Sequence, residues 1–149
     1  TYSIPGIRVG WVASNTKVAN ILRDYRDYTM ICAGVFDDMV ATLVLENKEA
    51  ILERNRQIIE ENLALMDEWI AKEPKASWIR PASVSTSFVK LDVDRPIEVF
   101  ALELLQEYGV LVVPGNRFDK ESHVRIGYCC DKEVLQKGLE KLSQFLNKC

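Results

Sequence analysis

The chain has a single histidine, His123, and its four cysteines (Cys32, Cys129, Cys130 and Cys149) form neither a CxxC pair nor a dense disulfide framework. A zinc centre needs clustered thiolates and imidazoles, so no metal site is expected, and the cysteines read as reduced, mostly buried thiols. No run approaches the roughly 18 consecutive apolar residues that a membrane-spanning helix needs, and no basic-then-apolar leader pattern opens the sequence. An excess of basic charge is missing too. The 19 Lys and Arg against 22 Asp and Glu give a net charge of −3, which offers nucleic acid no attractive field. Ser83, Ser85, Thr86 and Ser87 make a hydroxyl-rich stretch, but the sequence places no histidine to activate a nucleophile there. Internal repeats and low-complexity linkers are likewise absent. These gaps predict a cytoplasmic protein with neither a nucleic-acid nor a membrane partner.

What remains is an ordinary globular composition, 48% hydrophobic and 28% charged over 149 residues, enough to bury one core of about two-thirds of the unfolded surface. Gly6 to Ser14 alternates and is rich in Val, Ile and Trp, which predicts a strand with Arg8 near its start. Lys17 to Arg26 predicts a short helix. Val35 to Glu46 predicts another, with Phe36, Met39, Val40, Leu43 and Val44 inward. From Lys48 to Lys72, Ile51, Leu52, Ile58, Ile59, Leu63, Met66, Trp69 and Ile70 make one helical stripe, which Pro74 ends. A helix so long either bridges two lobes or lies along one core. Short elements follow: strands near Trp78, over Thr86 to Val93, Val110 to Val113 and His123 to Cys129, and a helix from Pro96 to Tyr108 stopped by Gly109. Asp131 caps a last helix with Leu135, Leu139, Leu142, Phe145 and Leu146 on its core face.

The segment Ser3-Ile4-Pro5-Gly6-Ile7-Arg8-Val9-Gly10-Trp11 resembles the stretch that follows the cofactor lysine in pyridoxal-phosphate (PLP) aminotransferases of the aspartate aminotransferase superfamily, class I and II, fold type I. The resemblance implies PLP as cofactor and Arg8 as partner of its phosphate, a role that suits a guanidinium's fixed fork of donors. Taken alone, Arg8 reads equally as a surface or salt-bridged arginine. Counting back along the family pattern puts the catalytic lysine immediately before Thr1, so the chain is expected to be either the C-terminal piece of a longer enzyme or a sequence broken at a modified lysine. No catalytic residue then falls within this numbering.

A second stretch also looks like the family: Gly109-Val110-Leu111-Val112-Val113-Pro114-Gly115-Asn116-Arg117-Phe118, then His123-Val124-Arg125-Ile126-Gly127-Tyr128. Arg125 matches the arginine that holds the substrate's α-carboxylate, a two-oxygen anion that a guanidinium grips bidentately. The alternative is an arginine paired with a carboxylate of its own lobe. Arg117 reads as surface charge, and the doublets Asp37-Asp38 and Glu60-Glu61 as solvated helix faces. Thr86-Ser87 departs from the glycine common at that point in the family.

The resemblance implies an α/β fold in three parts: residues 1–28 as the end of a large PLP-binding domain, 29–74 as a helical connection, and 75–149 as a small C-terminal α/β domain. It implies transfer of an amino group between an amino acid and a 2-oxo acid, in a homodimer. A PLP-dependent C–S lyase or decarboxylase of the same fold, or the aminotransferase-like effector domain of a transcription regulator, are the alternatives.

Overall fold

The computed structural model describes residues 2–148. They fall into two compact units, one ending at Asn55 and the other beginning at Arg56.

The first unit is helical. Pro5–Ile7 forms a 3-10 turn, and two helices follow, α1 (Thr16–Thr29) and α2 (Val35–Glu46). Asn15 starts α1 by accepting the Val18 amide at 3.0 Å on its side-chain oxygen, which satisfies one of the amides that every helix start leaves without a partner. At α2, Asp37 and Asp38 lie in the first turn, where the helix dipole favours negative charge. The expected strand over Gly6 to Ser14 does not form. A strand needs a neighbour for its amides and carbonyls, and no strand occurs among the described residues of this unit. The inward face expected of α2 is also corrected. Phe36 and Leu43 are 83% and 58% exposed, and Val44 is the one apolar side chain of the unit buried among the described residues.

The third helix, α3 (Lys48–Lys72), has the bounds read from its stripe. Its C-terminal half belongs to the second unit and buries Ile59, Leu63, Met66 and Trp69. Beyond it come β1 (Ala76–Trp78), β2 (Thr86–Leu91), α4 (Ile97–Tyr108), β3 (Val113–Pro114), a 3-10 turn over Gly115–Phe118, β4 (His123–Gly127) and α5 (Lys132–Leu146). The strands form one sheet in the order β1-β2-β4-β3, antiparallel throughout.

Because successive strand residues point to opposite faces, Ala76, Val89, Leu91, Val124 and Ile126 line one side and join the core with α3, α4 and α5. Phe100 of α4 meets Phe145 of α5 with ring centroids 5.0 Å apart, and truncating so fully buried a ring costs about 3–5 kcal/mol. Gly109 ends α4 at φ 67°, a conformation that glycine adopts without strain. Asp131 caps α5 by accepting the Glu133 amide at 2.9 Å. Trp69 donates to Ser143, which donates to the buried Glu73 at 2.6 Å, tying α3 to α5.

Three further expectations are revised. The strand read over Val110 to Val113 shrinks to Val113–Pro114, since only those residues pair with β4. Thr86 to Val93 stops at Leu91, one residue beyond the Lys90–His123 pair at which β4 begins. Among the described cysteines, Cys32 and Cys129 are exposed and Cys130 half-buried, all unbridged. No group of three or more potential metal ligands occurs among the described residues, and no helix of the described chain is long and apolar enough to cross a membrane.

Candidate active site

The sheet face turned away from the core carries Arg125. Its direct cross-strand neighbours are Phe88 of β2 and Val113 of β3, so a half-buried guanidinium stands on rigid, paired backbone. The turn Gly115–Phe118 brings an aromatic ring to it. The Arg125 guanidinium carbon lies 5.1 Å from the Phe118 ring centroid, and Phe118 meets Phe88 edge-on at 5.4 Å. A cation over such a ring is held by about 0.5–1 kcal/mol at a partly exposed site. That is enough to restrict a rotamer while leaving the N–H donors available.

No carboxylate among the described residues forms an ion pair with Arg125. Arg117 behaves differently. It donates to Glu98, which also accepts from Asn116 at 3.0 Å, and these two hydrogen bonds, Asn116 first, hold the Glu98 carboxyl below the usual range. Arg117 is thus engaged at the start of α4, in line with its reading as surface charge.

Gly115 is what lets the turn close. A Cβ there would sit 2.3 Å from the Lys120 carbonyl oxygen and 2.5 Å from that of His123, while the Lys120 amide donates to the Gly115 carbonyl at 2.9 Å. The sequence offered Pro114-Gly115 as a pattern; the close backbone approach supplies its physical reason.

Asn62 of α3 was missed by sequence reasoning. It is 2% exposed, and its amide donates to the Tyr128 carbonyl at 2.7 Å and the Cys130 carbonyl at 2.8 Å, fixing the chain that leaves β4 just after Arg125. The available signal was a polar residue beside the apolar stripe, directly before Leu63. Tyr128 is fully buried with no partner for its hydroxyl among the described residues, and burial pushes that hydroxyl's pKa up.

Arg8 lies in the first unit and not on a strand. It closes the Pro5–Ile7 turn at φ 50°, ψ 29°, with its amide and its Nη1 both donating to the Pro5 carbonyl, at 3.2 and 3.1 Å. The side chain is exposed and pairs with no carboxylate among the described residues. Arg8 and Arg125 are thus two arginines in separate units, both without a counter-ion among the described residues.

Residues 1–142 match the family model described as aminotransferase class I and II. A solved PLP-dependent aminotransferase from Streptococcus suis is similar at a TM-score of 0.94 and 67% identity, over 99% of this chain and 40% of that one. Capreomycidine synthase of Streptomyces vinaceus is 29% identical over 97% of this chain and 38% of its own length. The probable N-acetyl-LL-diaminopimelate aminotransferase of Bacillus subtilis is 25% identical over 99% of this chain and 38% of its own length. The chain therefore spans about two-fifths of the relatives it matches.

Proposed function

The chain belongs to the class I and II aminotransferase family, and from that premise we propose that it supplies the C-terminal part of a PLP-dependent aminotransferase that moves an amino group between an amino acid and a 2-oxo acid. In this reading residues 1–28 finish the large cofactor-binding domain, 29–74 connect, and 75–149 form the small domain. The working enzyme is a cytoplasmic homodimer of amino-acid metabolism, with the cofactor lysine directly ahead of Thr1.

The observation that carries the reading is Arg125, a guanidinium laid against Phe118 with its donors unclaimed by any described carboxylate. A free amino acid presents an α-carboxylate of matching two-oxygen shape. Gripping it at two points orients the Cα–H bond, and orientation of that kind removes much of the entropic part of a barrier.

Arg8 fits the cofactor's phosphate. Its exposed guanidinium has one described acceptor, a neutral carbonyl, and its planar fork of donors matches phosphate oxygens. Bound PLP supplies an electron sink for the substrate's Cα. The remaining work falls to side chains: Arg8 anchors, Arg125 orients, and the proposed lysine takes and returns the Cα proton.

Incubating the intact enzyme with an amino acid and a 2-oxo acid tests the reaction class. Amino transfer to the oxo acid is the expected result. Release of pyruvate and ammonia without transfer would assign a lyase instead.

A further inference from the structure

One pleat along from Arg125, the same sheet face carries a second set of cations that the amino-acid site does not use. Ser77 of β1 stands directly opposite Lys90 of β2, and Lys90 directly opposite His123 of β4, so the three form one row across the sheet. Arg125 lies two residues from His123 on its strand, about 7 Å away at the strand rise, with Phe88 directly opposite it on β2. Lys120 joins from the loop, where its carbonyl accepts the His123 amide at 3.1 Å. Together with Trp78 and Ile79 these residues line a groove of about 470 Å³.

Three features of the groove set it apart from an ordinary solvated face. Neither lysine forms an ion pair among the described residues, although Glu121 adjoins Lys120 in sequence. His123 Nδ1 is buried without a hydrogen-bond partner among the described residues. Burial first, then Lys120 and Lys90, lower the pKa of His123, so the two ammonium groups are close enough to be felt at the ring. Like charges gathered across strands destabilise a sheet, and a bound anion would reverse that effect.

We propose that this groove binds a phosphate monoester, its phosphate among Lys90, Lys120, His123 and the Ser77 hydroxyl, and its carbon skeleton against Ile79 and Phe88. Lysine ammonium groups are compact charges that approach a tetrahedral dianion from separate directions. A planar carboxylate is matched better by a guanidinium fork, which this groove lacks. The apolar surface of exposed Ile79 and half-buried Phe88 gives a monoester a contact that inorganic phosphate cannot use.

The test uses the intact holoenzyme, with PLP already in place so that Arg8 is occupied. Glycerol 3-phosphate, inorganic phosphate and succinate are titrated in turn at neutral pH, and the His123 ring signals are followed by NMR after assignment with His123→Gln. Saturable shifts with glycerol 3-phosphate tighter than inorganic phosphate are expected. Lys90→Gln and Lys120→Gln should each weaken that binding about tenfold, as loss of a charge-assisted hydrogen bond does, while amino-acid turnover stays within about twofold, as for other surface substitutions. Succinate binding more tightly than either phosphate would overturn the assigned class. Equal affinity for phosphate and its ester would overturn the role of the apolar wall. His123 signals that do not move, or that titrate in both lysine variants with the affinity of the unsubstituted enzyme, would overturn the site itself. None of these outcomes depends on whether the enzyme transfers amino groups.

Discussion

The guanidinium of Arg125 rests 5.1 Å from the centre of the Phe118 ring, two residues brought together by a backbone turn and a strand pairing, and no described carboxylate pairs with that guanidinium. Phe118→Leu keeps the apolar bulk and removes the ring face. A cation–π contact of about 0.5–1 kcal/mol corresponds to about two- to fivefold, so KM for the amino acid should rise by that factor with little change in kcat. A fall in kcat at constant KM would mean that the ring serves the chemical step instead.

Gly115→Ala tests the turn that delivers Phe118. A methyl group 2.3 Å from one carbonyl oxygen and 2.5 Å from another cannot be accommodated without moving backbone, and overpacking of this kind costs about 1–3 kcal/mol. Thermal unfolding should show a lowered Tm, with substrate affinity reduced because the ring loses its position. An unchanged Tm would show that the loop yields freely.

His123 should titrate below its ordinary value of 6.5. A folded-state pKa lowered beneath the unfolded one means that the unfolded chain binds the proton more readily, so stability is full above about pH 6.5 and declines as pH falls through that value toward the folded pKa. An NMR titration gives the midpoint directly. Lys120→Ala and Lys90→Ala should each move it upward, and a midpoint indifferent to both would leave burial as the sole cause.

Arg8→Ala should weaken cofactor retention, measured by titrating the apoenzyme with PLP. The loss expected for a charge-assisted contact is about 1.5–3 kcal/mol, or about 10- to 150-fold. Unchanged affinity would remove Arg8 from the phosphate site.

Much of the second unit could be read in advance because its signals are local. Pro74 and the stripe through Leu63, Met66 and Trp69 bound α3, Gly109 ends α4, and Asp131 caps α5 in the way its side chain allows. The edge strand was overestimated because pairing is nonlocal: Val110 to Val112 have strand chemistry but form no ladder pair with β4. The Arg125–Phe118 contact was hidden for a related reason, since it depends on a 3-10 turn closing against the Gly115 backbone. Asn62 was hidden because its partners lie 66 and 68 residues away. In the first unit, the periodicity of α2 gave its bounds correctly yet not its burial, because amphipathicity states which side is apolar and says nothing about what covers it.

The most direct test of the account is Arg125→Ala in the intact enzyme, comparing kcat/KM for an amino acid with that for the corresponding amine lacking the carboxylate. Loss of one partner of a desolvated charge pair costs about 2–5 kcal/mol, or about 30- to several-thousand-fold, and the account predicts that penalty for the amino acid with the amine nearly unaffected. Equal losses for both compounds would contradict it.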